Sequence, residues 1–170
     1  LYSMVTLFRN DFSYYITLRN TGDTNYATLL PIYKTSGDAA LLFGLEAQLN
    51  LNFLSNFEFT ASTSLTRGEF KSTNTPLPSI PPLKTLIGLK YTYNNFLAGV
   101  NSELVTSQER VDDFEQPTAG YTLFNSFVQI SIIQKNFVHN LSLTFDNIFN
   151  TEYYNHLSRI KSVMPESGRS

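Results

Sequence analysis

Cysteine and tryptophan are absent from this 170-residue chain, glycine and proline number only 8 and 7, and charged residues make up 15%. Without cysteine there is no disulfide framework and no thiolate metal site, which is compatible with an oxidising compartment. The formal net charge of -2 and the scattered lysines and arginines leave no basic patch, so nucleic acid is excluded as a partner. No apolar run approaches the roughly 18 residues of a transmembrane helix, so any membrane crossing is by strands. The charge deficit, measured against the roughly one quarter usual in soluble domains, is filled by Asn, Ser and Thr together with 14 Phe and 10 Tyr. Nucleophile elbow, phosphate loop and His-Glu-x-x-His helix are all missing, and no carboxylate pair stands out. An enzyme is therefore not expected, nor a cofactor.

What is present is alternation. From Leu45 to Phe53 the odd positions are Leu45, Ala47, Leu49, Leu51 and Phe53, and the even ones Glu46, Gln48, Asn50 and Asn52. After Leu54-Ser55-Asn56 the pattern resumes, with Phe57, Phe59, Ala61 and Leu65 against Glu58, Thr60, Ser62, Ser64 and Thr66. A period of two on both sides of a short turn predicts a long antiparallel hairpin. Two more follow, around Asn94-Asn95 and Gln134-Lys135-Asn136. Met4–Arg9 and Tyr14–Arg19 read as strand with a weaker pattern, one long strand with an irregularity near Asn10-Asp11.

Tight turns thus recur about every 40 residues, and longer irregular stretches lie between them at 19–38, 69–84, 106–119 and 150–168. Two long strands per period exclude a four-stranded propeller blade. One oily and one wet face, with short and long connections in alternation, predicts an all-β fold: an antiparallel up-and-down transmembrane β-barrel segment of about seven strands. The short turns are then periplasmic and the long loops extracellular. Phe53, Phe57, Tyr91, Tyr93, Phe96 and Phe137 flank the short turns as an interfacial girdle. Glu46, Glu58, Glu103, Lys90 and Arg67 are expected in the lumen. The rival reading is a soluble or secreted all-β module binding a glycan or protein, in which Leu49, Leu51, Phe57 and Phe59 would be buried under a second sheet.

Several segments together resemble the C-terminal part of the barrel of TonB-dependent transporters of the Gram-negative outer membrane. Leu7–Phe12 with Tyr14-Tyr15-Ile16 is similar to the family's aromatic-Asn-Asp strand, Gly44-Leu45-Glu46 to its G-x-E opening, Ile80-Pro81-Pro82 to its I-P-P loop-to-strand junction, and Gly120-Tyr121-Thr122-Leu123 to G-Y-T-L. The strongest likeness is the tail, Asp146-Asn147-Ile148-Phe149-Asn150-x-x-Tyr153, then Asn155-His156-Leu157-Ser158, Pro165 and Gly168-Arg169. The resemblance spans residues 1–170 and implies a fragment of a longer precursor, with the plug domain upstream and a final strand after Ser170; such transporters have roughly 22 strands. It implies uptake of a scarce solute such as a siderophore, another iron complex or zinc. It also implies partnership with outer-membrane lipid, the receptor's own plug and the inner-membrane TonB energy-coupling protein.

Ligand-site candidates are confined to the outer loops. Asp112, Asp113 and Glu115 form an acidic cluster able to attract a cation, although such a cluster is more often a solvated loop tip. His156 would need partners for ligation, and Glu152 and Glu166 are its nearest acids in sequence, so no metal site is assigned. His139, on the apolar face near a short turn, reads as an interfacial ring.

Overall fold

The computed structural model describes all 170 residues, and its strands form a single antiparallel sheet with strand order β1 to β7. The strands are β1 (Tyr2–Asn25), β2 (Leu30–Phe53), β3 (Phe57–Phe70), β4 (Lys84–Tyr93), β5 (Phe96–Val105), β6 (Tyr121–Gln134) and β7 (Phe137–Phe145). Each pairs only with its neighbours in sequence, so the sheet is an up-and-down meander with β1 and β7 at its edges.

Register carries the alternation from strand to strand. Leu51 pairs with Phe59, Phe59 with Leu89 and Leu89 with Val100. On the opposite face Asn50, Thr60, Gly88, Asn101 and Asn125 form one row. A Cβ at Gly88 would stand 2.6 Å from Thr60 Oγ1 and 2.9 Å from Asn101 Oδ1, so a larger residue there would push those two side-chain ends aside. No second sheet covers the apolar face, and Leu51 and Phe53 remain 37% exposed. That is the arrangement expected of a barrel wall and contrary to a sandwich.

Phe53, Phe57, Tyr91 and Phe96 form a chain of rings beside the short turns, with centroids 5.5, 4.9 and 6.4 Å apart. Phe137 and His139 add a stacked pair at 6.3 Å. The connections 54–56, 94–95 and 135–136 lie at this end, and the long ones at the other. Leu54 and Ser55 both adopt positive φ, 48° and 58°, to close the first turn.

Three expectations are corrected. The stretch 19–38 is no loop: β1 runs to Asn25 and β2 starts at Leu30, leaving only 26–29 as a turn at the tip of a two-stranded ribbon. The irregularity expected near Asn10-Asp11, which pair regularly with Leu42 and Leu41, falls instead between Phe12 and Tyr15, where the partner advances only from Ala40 to Asp38. The extra residue reverses parity, so beyond it Tyr15, Thr17 and Arg19 share the polar face while Tyr14, Ile16 and Leu18 point outward. Arg67 is the third correction. It pairs with Phe43 and so lies on the outward face, unlike Glu46, Glu58, Lys90 and Glu103.

The core is small and sits on the polar face at the long-loop end. Ala40, Phe70, Leu77 and Ile80 are buried there, with Phe12, Tyr15 and Leu42 against them. Leu77 and Ile80 belong to the β3–β4 loop, which therefore folds inward over β2 and β3 and does not project. Pro81 and Pro82 precede β4, where lacking N–H donors costs no ladder bond.

Candidate functional site

The long loops converge on one carboxylate. Glu115, in the β5–β6 loop, receives the Ser79 backbone N–H on both oxygens at 3.2 Å, and Ser79 belongs to the β3–β4 loop. Its Oε2 also accepts the Asp112 backbone N–H at 3.3 Å. From the C-terminal segment the Lys161 ammonium stands 3.3 Å from Oε1. Three chain segments are thus tied by one side chain. Burial alone would raise the Glu115 carboxyl, but the His156 ring, the Lys161 ammonium and the Ser79 amide outweigh it and hold it down at about 2. Lys161 is lowered, because desolvation of its ammonium exceeds the attraction of Glu115. The two directions are compatible: the carboxylate has several donors and the ammonium a single acid.

His156 is buried beside them, its side chain 1% exposed. Its Nδ1 lies 2.9 Å from Thr118 Oγ1 and 3.3 Å from Lys161 Nζ. Lysine can only donate, so Nδ1 accepts, and in the neutral ring the proton sits on Nε2. That atom faces Glu115 Oε1 at 3.3 Å, near enough for its N–H dipole to favour the carboxylate although the contact falls outside regular hydrogen-bond geometry, and it has no other partner.

Asp112 is 3% exposed and accepts from one edge of the Arg19 guanidinium of the ribbon, Nε to Oδ2 at 2.7 Å and Nη2 to Oδ1. Arg19 lies over the Phe70 ring, 4.9 Å from its centroid. Asp113 is the one member of the acidic cluster that remains exposed; its carboxylate is 3.4 Å from Arg19. One residue on, the Phe114 carbonyl accepts from Asn20 Nδ2 at 3.2 Å. The Phe114 ring packs against Gly22, 3.0 Å from where a Cβ would stand, and Gly22 has φ 81°.

The reading of this cluster as a solvated tip is therefore corrected for Asp112 and Glu115, while Asp113 stays exposed. The parity flip in β1 delivers Arg19 to the polar face, and the tail delivers Lys161, so two of the three carboxylates are neutralised within the fold. His156 meets Glu115 and not Glu152 or Glu166. No group of three or more His, Asp or Glu side chains converges as a metal site. The chemistry available is hydrogen bonding and ion pairing between loops. Arg19, Ser79, Thr118 and Lys161 were not legible as members, since the Arg19–Asp112 contact spans 93 residues and no local spacing marks it.

The tail is built as its motif predicts. Asn147, at φ 50°, donates through Nδ2 to the Thr151 carbonyl and accepts the Thr151 N–H at Oδ1, at 2.9 and 2.8 Å. Its own N–H is held by Asn125 Oδ1 at 2.8 Å. Asp146 and Ser170 exchange both backbone hydrogen bonds, at 2.8 and 3.2 Å, as adjacent antiparallel strands do.

The profile of one family, TonB dependent receptor-like, beta-barrel, matches residues 1–150. The chain belongs to the TonB-dependent receptor family. Members of this family are Gram-negative outer-membrane barrels, and the seven-stranded meander is a segment of one. Among solved structures, "Copper transporter OprC" superimposes with a TM-score of 0.83 at 23% identity, covering 98% of this chain and 27% of that one. The chain thus spans about a quarter of that transporter's length. No curated protein sequence matches significantly.

Proposed function

We propose that this chain forms the C-terminal wall and outer lip of a TonB-dependent importer for a scarce solute. A siderophore, another iron complex or zinc fits this reading, and the likeness to the copper transporter OprC adds copper to the solutes worth testing. The observation that carries the proposal is the uncharged outward face of β1–β7 below Arg9 and Arg67, opposed by a polar inward face, in a chain of this family. The plug domain and the TonB energy-coupling protein act through upstream segments. In this reading the Glu115 junction holds three loops as one lip, and solute captured above it passes inward when the plug rearranges. Direct metal ligation by His156, Asp112, Asp113 or Glu115 is not part of the proposal: Asp112 and Glu115 are held by Arg19 and Lys161, and His156 and Asp113 join no cluster of three ligating side chains.

Uptake by cells with and without the complete receptor tests this, using radiolabelled ferric siderophores, zinc and copper under limitation of each. One solute should accumulate in a receptor-dependent manner and cease to do so when the proton-motive force is collapsed. Receptor-independent accumulation of every solute would remove the transport reading.

A further inference from the structure

Charge returns to the outward face at one level. Arg9 on β1 and Arg67 on β3 both pair with Phe43 on β2, so the three residues form one row, Arg9–Phe43–Arg67. All three are exposed. Below that row the outward residues of β1–β3 include Leu7, Leu45 and Leu65, then Val5, Ala47 and Thr63, with no charged side chain down to Phe53 and Phe57. Ten residues along β2 separate Phe43 from Phe53. At ~3.4 Å per residue and a tilt of about 40°, the two rows lie about 26 Å apart, close to the ~25 Å apolar band of outer-membrane barrels. The aromatic chain marks one interface and the arginine row the other.

Both arginines lack an internal partner: neither makes a side-chain hydrogen bond or ion pair. The acids in the next row up are already engaged, Asp11 by Lys71 and Glu69 by Arg110 at 3.5 Å. Glu109 is the remaining acid nearby, across the open cleft of about 340 Å³ that Arg67 shares with Pro81, Pro82 and Arg110. The two guanidinium-bearing positions are two strands apart, about 9–10 Å, a span that their long side chains close around one phosphate. The leucines directly beneath offer an acyl chain its place in the same column.

We propose that Arg9 and Arg67, astride Phe43, bind the phosphate of an anionic lipid headgroup in the outer leaflet. This rests on the membrane-spanning reading above. Lipid rather than free phosphate is the occupant because the anion site and the apolar column are continuous.

The test uses the complete receptor in phosphatidylcholine nanodiscs carrying a minor fraction of either bisphosphorylated lipid A or its dephosphorylated form. Lipid retained through detergent extraction is measured by mass spectrometry. The wild type should retain bisphosphorylated lipid about tenfold better than the R9Q/R67Q variant, and the two should be equal for the dephosphorylated lipid. R159Q, which removes one exposed charge from the C-terminal loop, should behave as wild type. Equal retention by wild type and R9Q/R67Q would overturn the site. Displacement by millimolar inorganic phosphate would overturn lipid as its occupant. Protease protection of the inserted barrel separates these from failure of the membrane reading: if wild type gains no protection on reconstitution, that reading falls and the proposal with it.

Discussion

At the residue scale, Glu115 shows how a carboxylate that looks solvated in sequence becomes structural. Its carboxyl is held down at about 2 against an ordinary 4.5. A lowered acid stabilises the fold fully above its unfolded value, and that contribution is lost as pH falls from about 4.5 towards 2. Hydrogen exchange of the 106–119 and 150–168 backbone in the complete receptor should therefore accelerate over this window. The Glu115→Gln variant should exchange faster at neutral pH and lose most of the acid dependence; a wild-type profile flat to pH 3 would refute the junction. Arg19→Ala strands the Asp112 carboxylate in a site that is nearly fully buried, and leaving a buried charge unpaired costs about 3–5 kcal/mol. Arg19→Lys keeps the charge but loses the bidentate grip, so its cost should be intermediate when local opening is measured by the same exchange. None of these partnerships was readable in the sequence. They join residues 36, 46 and 93 positions apart, and ion pairs of that span leave no periodic trace.

At the element scale, the hairpin 45–66 was legible because lipid-facing and water-facing positions alternate with period two on both sides of one short turn. Leu49→Arg or Ala61→Arg should cost about 2–4 kcal/mol near the midplane, whereas Asn50→Arg or Ser62→Arg should cost little, as measured by reversible folding into lipid. Equal costs on the two faces would contradict the assignment of inside and outside. The ribbon, by contrast, was misread as a loop. Residues 19–38 mix Thr, Asn, Asp, Gly and Tyr on both faces, because above the membrane neither lipid nor a core imposes a side. The bulge at Ser13-Tyr14 compounded this by shifting the phase of what alternation remained. Deleting Ser13 should turn Arg19 outward and away from Asp112, and the signature is new proteolytic cleavage within 106–119 while the membrane-embedded hairpins remain protected. The β3–β4 loop was placed correctly in sequence, but its inward fold over Phe70 was hidden, since Leu77 and Ile80 lie among prolines with no strand or helix period to reveal a buried side.

At the scale of the whole molecule, the alternation of short and long connections fixes a polarity. Cysteines introduced at Asn25, Asn74, Asp113 and Asn155 should all react with an impermeant reagent on intact cells, and one at Ser55 should not; reaction at Ser55 alone would invert the orientation. The wall is also of uneven height. β1 and β2 hold 24 residues each, while β4 and β5 hold 10. Ladder pairing of β2 with β3 ends at Ala40–Phe70, and past it Lys71 N–H bonds the Ala39 carbonyl at 2.8 Å and Ser72 Oγ bonds Asp38; the eight residues Leu30–Gly37 have no strand but β1 beside them, about 27 Å of two-stranded ribbon at ~3.4 Å per residue. Such a ribbon is marginal by itself. In mechanical terms it is a cantilever, clamped at the rim and propped partway along by the Arg19 strut. Thermal bending should consequently be small inboard of that prop and grow towards Tyr26 at the free end, giving the receptor a stiff collar and a sweeping tip in one continuous hairpin.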